Sequence, residues 1–161
     1  MIFAIVGFPQ DVESVFLGPD GIVENAKSGA IIVDMTTSRP ALAQKIAKIA
    51  AKKGIQSLDA PVSGGDIGAR SGNLSIMVGG ERAVYDQILP LFQLMGGNVV
   101  YQGPAGSGQH TKMANQIAIK VHTQPGDEVI CDYTSHVYQY EGGGIAFNSG
   151  ASVKLLHGNR G

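Results

Sequence analysis

The chain has 161 residues, a hydrophobic share of 43%, a charged share of 16% and a formal net charge of −1. That is enough chain for one buried core, with too little charge for extended disorder and no basic stripe to attract nucleic acid or an anionic membrane. The single Cys131 cannot close an intrachain disulfide, and the apolar run Met1 to Phe8 is far too short to span a bilayer, so a cytoplasmic protein without a membrane partner is expected.

Ile2 to Phe8 is a continuous apolar run ended by Pro9, which predicts a strand buried on both faces. A central strand this early suggests that a neighbouring strand belongs upstream of it. Asp11 is a candidate N-cap for a short helix with Val12, Val15 and Phe16 on one face. Ala30 to Val33 reads as a second buried strand, followed by Thr36, Thr37 and Ser38. Pro40 opens a helix over Ala41 to Lys53 with Leu42, Ile46 and Ile49 as its apolar stripe, and Gly54 stops it.

A strand near Ile55 to Leu58, a glycine-rich loop and a strand Leu74 to Val78 come next. Glu81 to Met95 predicts a helix with Pro90 as a kink, Asn98 to Tyr101 a strand, and a helix starts near Gln109 and runs through Ile119. The alternation predicts an α/β fold, a mostly parallel sheet with flanking helices and its ligand loops at one edge. An unpaired edge of such a sheet would let copies associate as a homo-oligomer. Past Val121 the texture changes, with a turn at Gln124 to Asp127, short strands at Glu128 to Cys131 and Ser152 to Leu156, and a break at Gly142 to Gly144.

Two segments carry chemistry. In Asp59-Ala60-Pro61-Val62-Ser63-Gly64-Gly65, Ser63 offers a hydroxyl and the paired glycines let backbone N–H groups approach an anion; an ordinary glycine turn is the plain alternative. In Gly106-x-Gly108-x-x-x-Lys112, the glycines permit a tight start to a helix. Lys112 falls in its first turns, with Asn115 and Gln116 on the same face. A desolvated lysine can serve as a general acid, whereas most lysines so placed are merely solvated. His110, near the glycine entry to the helix, could face the cleft, a solvated loop histidine being the plainer reading. His122 and His157 show no ligand-like spacing with each other or with Cys131, and no metal site is expected.

Taken together, Phe3 to Leu17, Ile32 to Ser38, Asp59 to Gly65, Gly72 to Gly80 and Gly106 to Asn115 resemble the β-hydroxyacid dehydrogenases. That family includes the 3-hydroxyisobutyrate and 6-phosphogluconate dehydrogenases. The resemblance runs in order over residues 1–118. It implies a partial Rossmann-like, dinucleotide-binding region and NAD(P)-linked oxidation of a short 3-hydroxy acid, or reduction of its semialdehyde. Lys112 would then be the catalytic acid/base. Ser63, Gly64 and Gly65 would hold the carboxylate of a small substrate, with Asn115 or Gln116 orienting it. Phe8, Pro9 and Thr37 would line the NAD or NADP side of the cleft.

Two features of that family are missing from the resemblance: the opening Gly-x-Gly-x-x-Gly turn that holds pyrophosphate, and the long helix and all-α domain beyond the lysine. The cofactor site is therefore expected to be incomplete. Residues 119–161 instead resemble, from about Asn115 onward, the pyridoxal-phosphate-dependent threonine aldolases, with His-Thr-Gln-Pro-Gly-Asp-Glu at 122–128 and Ser-His-Val-Tyr at 135–138. His136 would there stack on the cofactor ring. Neither a phosphate-binding turn nor a Schiff-base lysine accompanies it, so pyridoxal phosphate is not expected to bind, and a turn histidine is the plainer reading. An aldolase-like α/β tail joined to a dehydrogenase segment leaves a recombined scaffold without catalysis as the alternative function.

Overall fold

The protein is described by a computed structural model covering residues 1–132 and 150–156. Its main element is a six-stranded sheet of spatial order β1 (Ile2–Ala4), β2 (Ile31–Asp34), β3 (Gln56–Asp59), β5 (Ser75–Gly80), with β4 (Val62–Ser63) and β6 (Asn98–Gly103) also paired to β5. The chain alternates these strands with α1 (Pro9–Leu17), α2 (Ile22–Asn25), α3 (Pro40–Lys52), α4 (Gly65–Arg70), α5 (Arg82–Met95) and α6 (Ser107–His122). The α/β class and the mostly parallel sheet expected from the alternation are what the structure shows.

The side-chain alternation of β2 explains why helices cover both faces. Ile31 and Val33 join Leu58, Ile76, Val78, Ile88 and Phe92 in one cluster, under α5. Ile32 points the other way, to Val12, Phe16, Leu42, Ile46 and Ile55 under α1 and α3. With both faces covered, every residue of β2 and β5 is buried. β1 is not: Phe3 is exposed, and Ile2 and Ala4 are only half-buried. It pairs in parallel with β2. The expectation of a doubly buried first strand is corrected on that ground.

One feature of the sheet was not foreseen. β1, β2 and β3 are parallel, but β5 runs antiparallel to β3, at Leu58↔Gly80 and Asp59↔Gly79. After a break at Ala60-Pro61 the chain continues along the same edge of β5 as β4, at Val62↔Ile76 and Ser63↔Ser75. Met77 N–H bridges the break by donating to Pro61 C=O at 3.1 Å. The glycine-rich segment that follows is not a loop throughout, for it folds into α4, which turns the chain back into β5.

Smaller corrections have local causes. α1 starts at Pro9 rather than after Asp11, and the Asp11 carboxylate reaches back to accept the Phe8 N–H at 2.8 Å. Pro90 is accommodated within a continuous α5. α6 is longer than predicted at both ends. Beyond it, β7 (Glu128–Asp132) and β8 (Ser152–Leu156) form a separate parallel pair. The expected break at Gly142 to Gly144, His136 and His157 lie outside the described residues. No described helix is long and apolar enough to cross a membrane.

Candidate active site

The site is assembled where the end of the β3–β4 run meets the N-terminus of α6. Gly106, at φ +92°, is the helix N-cap, a conformation that favours glycine. A Cβ at Gly108 would lie 2.3 Å from the Met77 carbonyl oxygen and 2.8 Å from that of Asp59. One on Gly79 would lie 2.8 Å from Gly108 N and 2.9 Å from Ser107 N. The helix start therefore rests on the strands at backbone contact, which only glycine permits on both sides.

Asp59 holds it there. Its Oδ1 accepts the Gly106 N–H at 2.7 Å and its Oδ2 the Gln109 N–H at 3.0 Å, so a carboxylate from a distant strand supplies the cap that α6 lacks locally. Burial nevertheless pushes the Asp59 carboxyl above the ordinary aspartate value, opposed by the backbone hydrogen bonds from Gly106 and Gln109. Asp34 is likewise raised, first by burial, against the hydrogen bonds from Thr36; the Asp59 charge adds to the rise.

With α6 seated in this way, Lys112 in its second turn is buried, and its Nζ donates to Ser63 Oγ. Ser63 on β4 is itself 2% exposed, and 49 residues separate the pair in sequence. Both groups make further interactions. Beside Ser63, Gly64 adopts φ +135° and Gly65 φ +57°. Gly64 is buried and Gly65 exposed. Lys112 and the predicted Ser63 loop are thus brought together. Asn115 and Gln116 follow on the α6 backbone, which is as much as the structure describes of them.

Phe8, Pro9 and Thr37 sit at the C-terminal ends of the parallel strands β1 and β2. Phe8 and Thr37 are exposed and Pro9 half-buried. The neighbouring Ser38 hydroxyl is buried without a hydrogen-bond partner. The ring and the exposed hydroxyl thus follow two adjacent strands, β1 and β2, and are the groups there that a nicotinamide riboside would meet. A cavity of about 650 Å³ lies elsewhere, between β1 and the α1–α2 corner, lined by Ile2, Val15 and Ile22 among others. It contains none of these polar groups.

Sequence reasoning missed Asp34 and Gln109, and took Asp59 only as the start of a loop. An acid closing a buried apolar strand was a usable signal for Asp59. Gln109 had none, because nothing local distinguishes a buried helical glutamine from a solvated one. His110, expected in a solvated loop, is exposed but helical.

Residues 1–103 match the family model of the NAD binding domain of 6-phosphogluconate dehydrogenase. Residues 95–161 match that of the beta-eliminating lyases, in keeping with the aldolase-like character of the tail. An uncharacterized oxidoreductase of Bacillus subtilis, YkwC, is 62% identical over 119 residues, covering 74% of this chain and 41% of its own. A probable 3-hydroxyisobutyrate dehydrogenase-like protein 1 of Arabidopsis thaliana is 50% identical over 120 residues, covering 74% and 36%. The solved structure of Psf3 in complex with NADP+ and 2-OPP superposes with a TM-score of 0.69 at 30% identity, covering 74% of this chain and 43% of that one. The chain spans about two fifths of the length of the curated relatives it matches. Over residues 1–103 the chain belongs to the family of the NAD binding domain of 6-phosphogluconate dehydrogenase, and its relatives include 3-hydroxyisobutyrate dehydrogenase-like proteins.

Proposed function

We propose that the chain carries the substrate half of a nicotinamide-dependent dehydrogenase site, acting on a short 3-hydroxy acid or its semialdehyde. The carrying observation is the buried Lys112–Ser63 contact. In this reading residues 1–118 form the dinucleotide-binding region and 119–161 an appended lyase-like segment. The substrate carboxylate is held by the Ser63 hydroxyl and the backbone N–H groups of Gly64 and Gly65, at the positive-φ turn between β4 and α4. Asn115 or Gln116 orients the hydroxyl-bearing carbon. Lys112 gives a proton to the substrate oxygen during reduction and takes it back during oxidation. Phe8, Pro9 and Thr37 would hold the nicotinamide, which would supply hydride chemistry at that carbon.

The test is titration with 3-hydroxyisobutyrate and with NADH, followed by fluorescence and calorimetry. Weak saturable binding that requires the carboxylate and is altered by Lys112→Ala is expected. Absence of a saturable signal for both ligands would sink the reading.

A second reading is favoured by the beta-eliminating lyase match over 95–161: a recombined scaffold with no turnover of its own. A folded chain that binds neither ligand supports it. A pyridoxal phosphate absorbance band after incubation would instead point to a lyase fragment.

A further inference from the structure

We propose that Gln109 is a positioning residue that couples the Thr36–Ser38 loop, on the nicotinamide side of the cleft, to Lys112 on the substrate side. The proposal rests on the functional reading above. Gln109 is fully buried at the start of α6. Its Oε1 accepts the Ser38 N–H at 2.7 Å, and its Nε2 donates to the Thr36 carbonyl at 2.7 Å. The partners fix which end of the amide is which, since one is a donor and the other an acceptor. Its own N–H is the one held by Asp59.

The side chain of Gln109 thereby holds the loop after β2, and its backbone N–H is held by the end of β3. Thr36 Oγ1 accepts the Val6 N–H at 2.9 Å, which adds the end of β1 to the ends of β2 and β3. Lys112 lies three residues on from Gln109, less than one helical turn, so the orientation of the amide and that of the lysine are set by the same rigid segment. A shift of the Thr36–Ser38 loop must move Gln109 or break one of its two bonds. Hydride and proton transfer to one substrate require the two sides of the cleft to keep a fixed separation, and small misplacements are costly in rate. The role needs a donor and an acceptor together. Leucine has neither, and an ionised glutamate has no donor.

The experiment uses amide hydrogen exchange and side-chain NMR on the full chain without ligand. In wild type the Ser38 N–H should be protected, with a distinct Lys112 Cε/Nζ resonance. Gln109→Leu should speed exchange at Ser38 at least tenfold and shift the Lys112 resonance, while protection in β2 and β5 is unchanged. Gln109→Glu keeps an acceptor for the Ser38 N–H but, when ionised, has no donor for Thr36. At neutral pH it should therefore shift the Lys112 resonance with Ser38 still protected. That resonance should recover in acid, where the protonated side chain can again donate to Thr36. Wild type, measured over the same range, controls for the neighbouring Asp34 and Asp59. Release of Ser38 with an unmoved Lys112 signal overturns the coupling and leaves a merely structural glutamine. Unchanged Ser38 exchange in the leucine variant also overturns it. Should the leucine variant not fold, a glutamate variant that shows no acid recovery overturns it equally. None of these readouts needs ligand. Failure of 3-hydroxyisobutyrate to bind removes the functional reading and leaves the coupling standing, and the converse holds too.

Discussion

Asp34 and Asp59 face each other as register partners at the ends of adjacent parallel strands, both buried, and each carboxyl is pushed above its ordinary value mainly by burial. Two acids side by side in a core are an electrostatic cost. Each is tolerated because it caps backbone N–H groups that would otherwise lack partners: Thr36 for Asp34, Gly106 and Gln109 for Asp59.

The pH dependence follows from the sign of those shifts. A carboxyl whose folded pKa is raised binds its proton more tightly in the native state. The stability it contributes is complete below the unfolded value of about 4 and is lost as pH rises through the raised folded value. Asp34→Asn keeps an acceptor for the Thr36 N–H and removes the charge. Wild type minus Asp34→Asn stability, from urea denaturation, should therefore fall as pH climbs from about 3 to 7. A flat or rising difference contradicts the burial of this carboxyl.

Asp59→Asn should behave differently. One amide oxygen faces two N–H donors, so one donor at the α6 N-terminus is left unmet. The cost should be about 1–3 kcal/mol at neutral pH, larger than for Asp34→Asn, although charge relief offsets part of it. Exchange should quicken at Gly106 and Gln109 before other α6 amides. Equal stability of the two variants would argue that Asp59 does not anchor the helix.

Close approach at the helix start predicts a severe effect from one methyl group. Gly108→Ala puts a Cβ against two backbone oxygens, at 2.3 and 2.8 Å, which cannot retreat as a side chain does. A loss of more than about 2 kcal/mol is expected. Gly29→Ala is the comparison. At φ +82° with no neighbour within 4 Å it suffers only backbone strain, about 1 kcal/mol. Chemical denaturation of both variants gives the ranking.

Lys112→Met separates binding from folding. Methionine fills much of the same buried volume and leaves no charge to satisfy, so stability should change by less than about 1.5 kcal/mol. Binding of 3-hydroxyisobutyrate should weaken at least tenfold. A large stability loss with binding intact would make Lys112 a structural residue.

The apolar runs and their Pro and Gly punctuation were enough to read the alternation of strands and helices, the family resemblance and the two segments around Ser63 and Lys112. These are local signals, because a buried strand must be apolar along its length and a tight helix start must be glycine. The meeting of Ser63 with Lys112 across 49 residues was decided only in three dimensions, by the reversal of β5 against β3 and β4. So was the half-exposure of β1, which depends on what lies beside the strand and not on its own side chains. Asp59 and Gln109 show the same limit from the polar side. A carboxylate or an amide reads as surface until tertiary structure buries it, and then its hydrogen bonds to chain far away in sequence decide where the helix, and Lys112 with it, comes to rest.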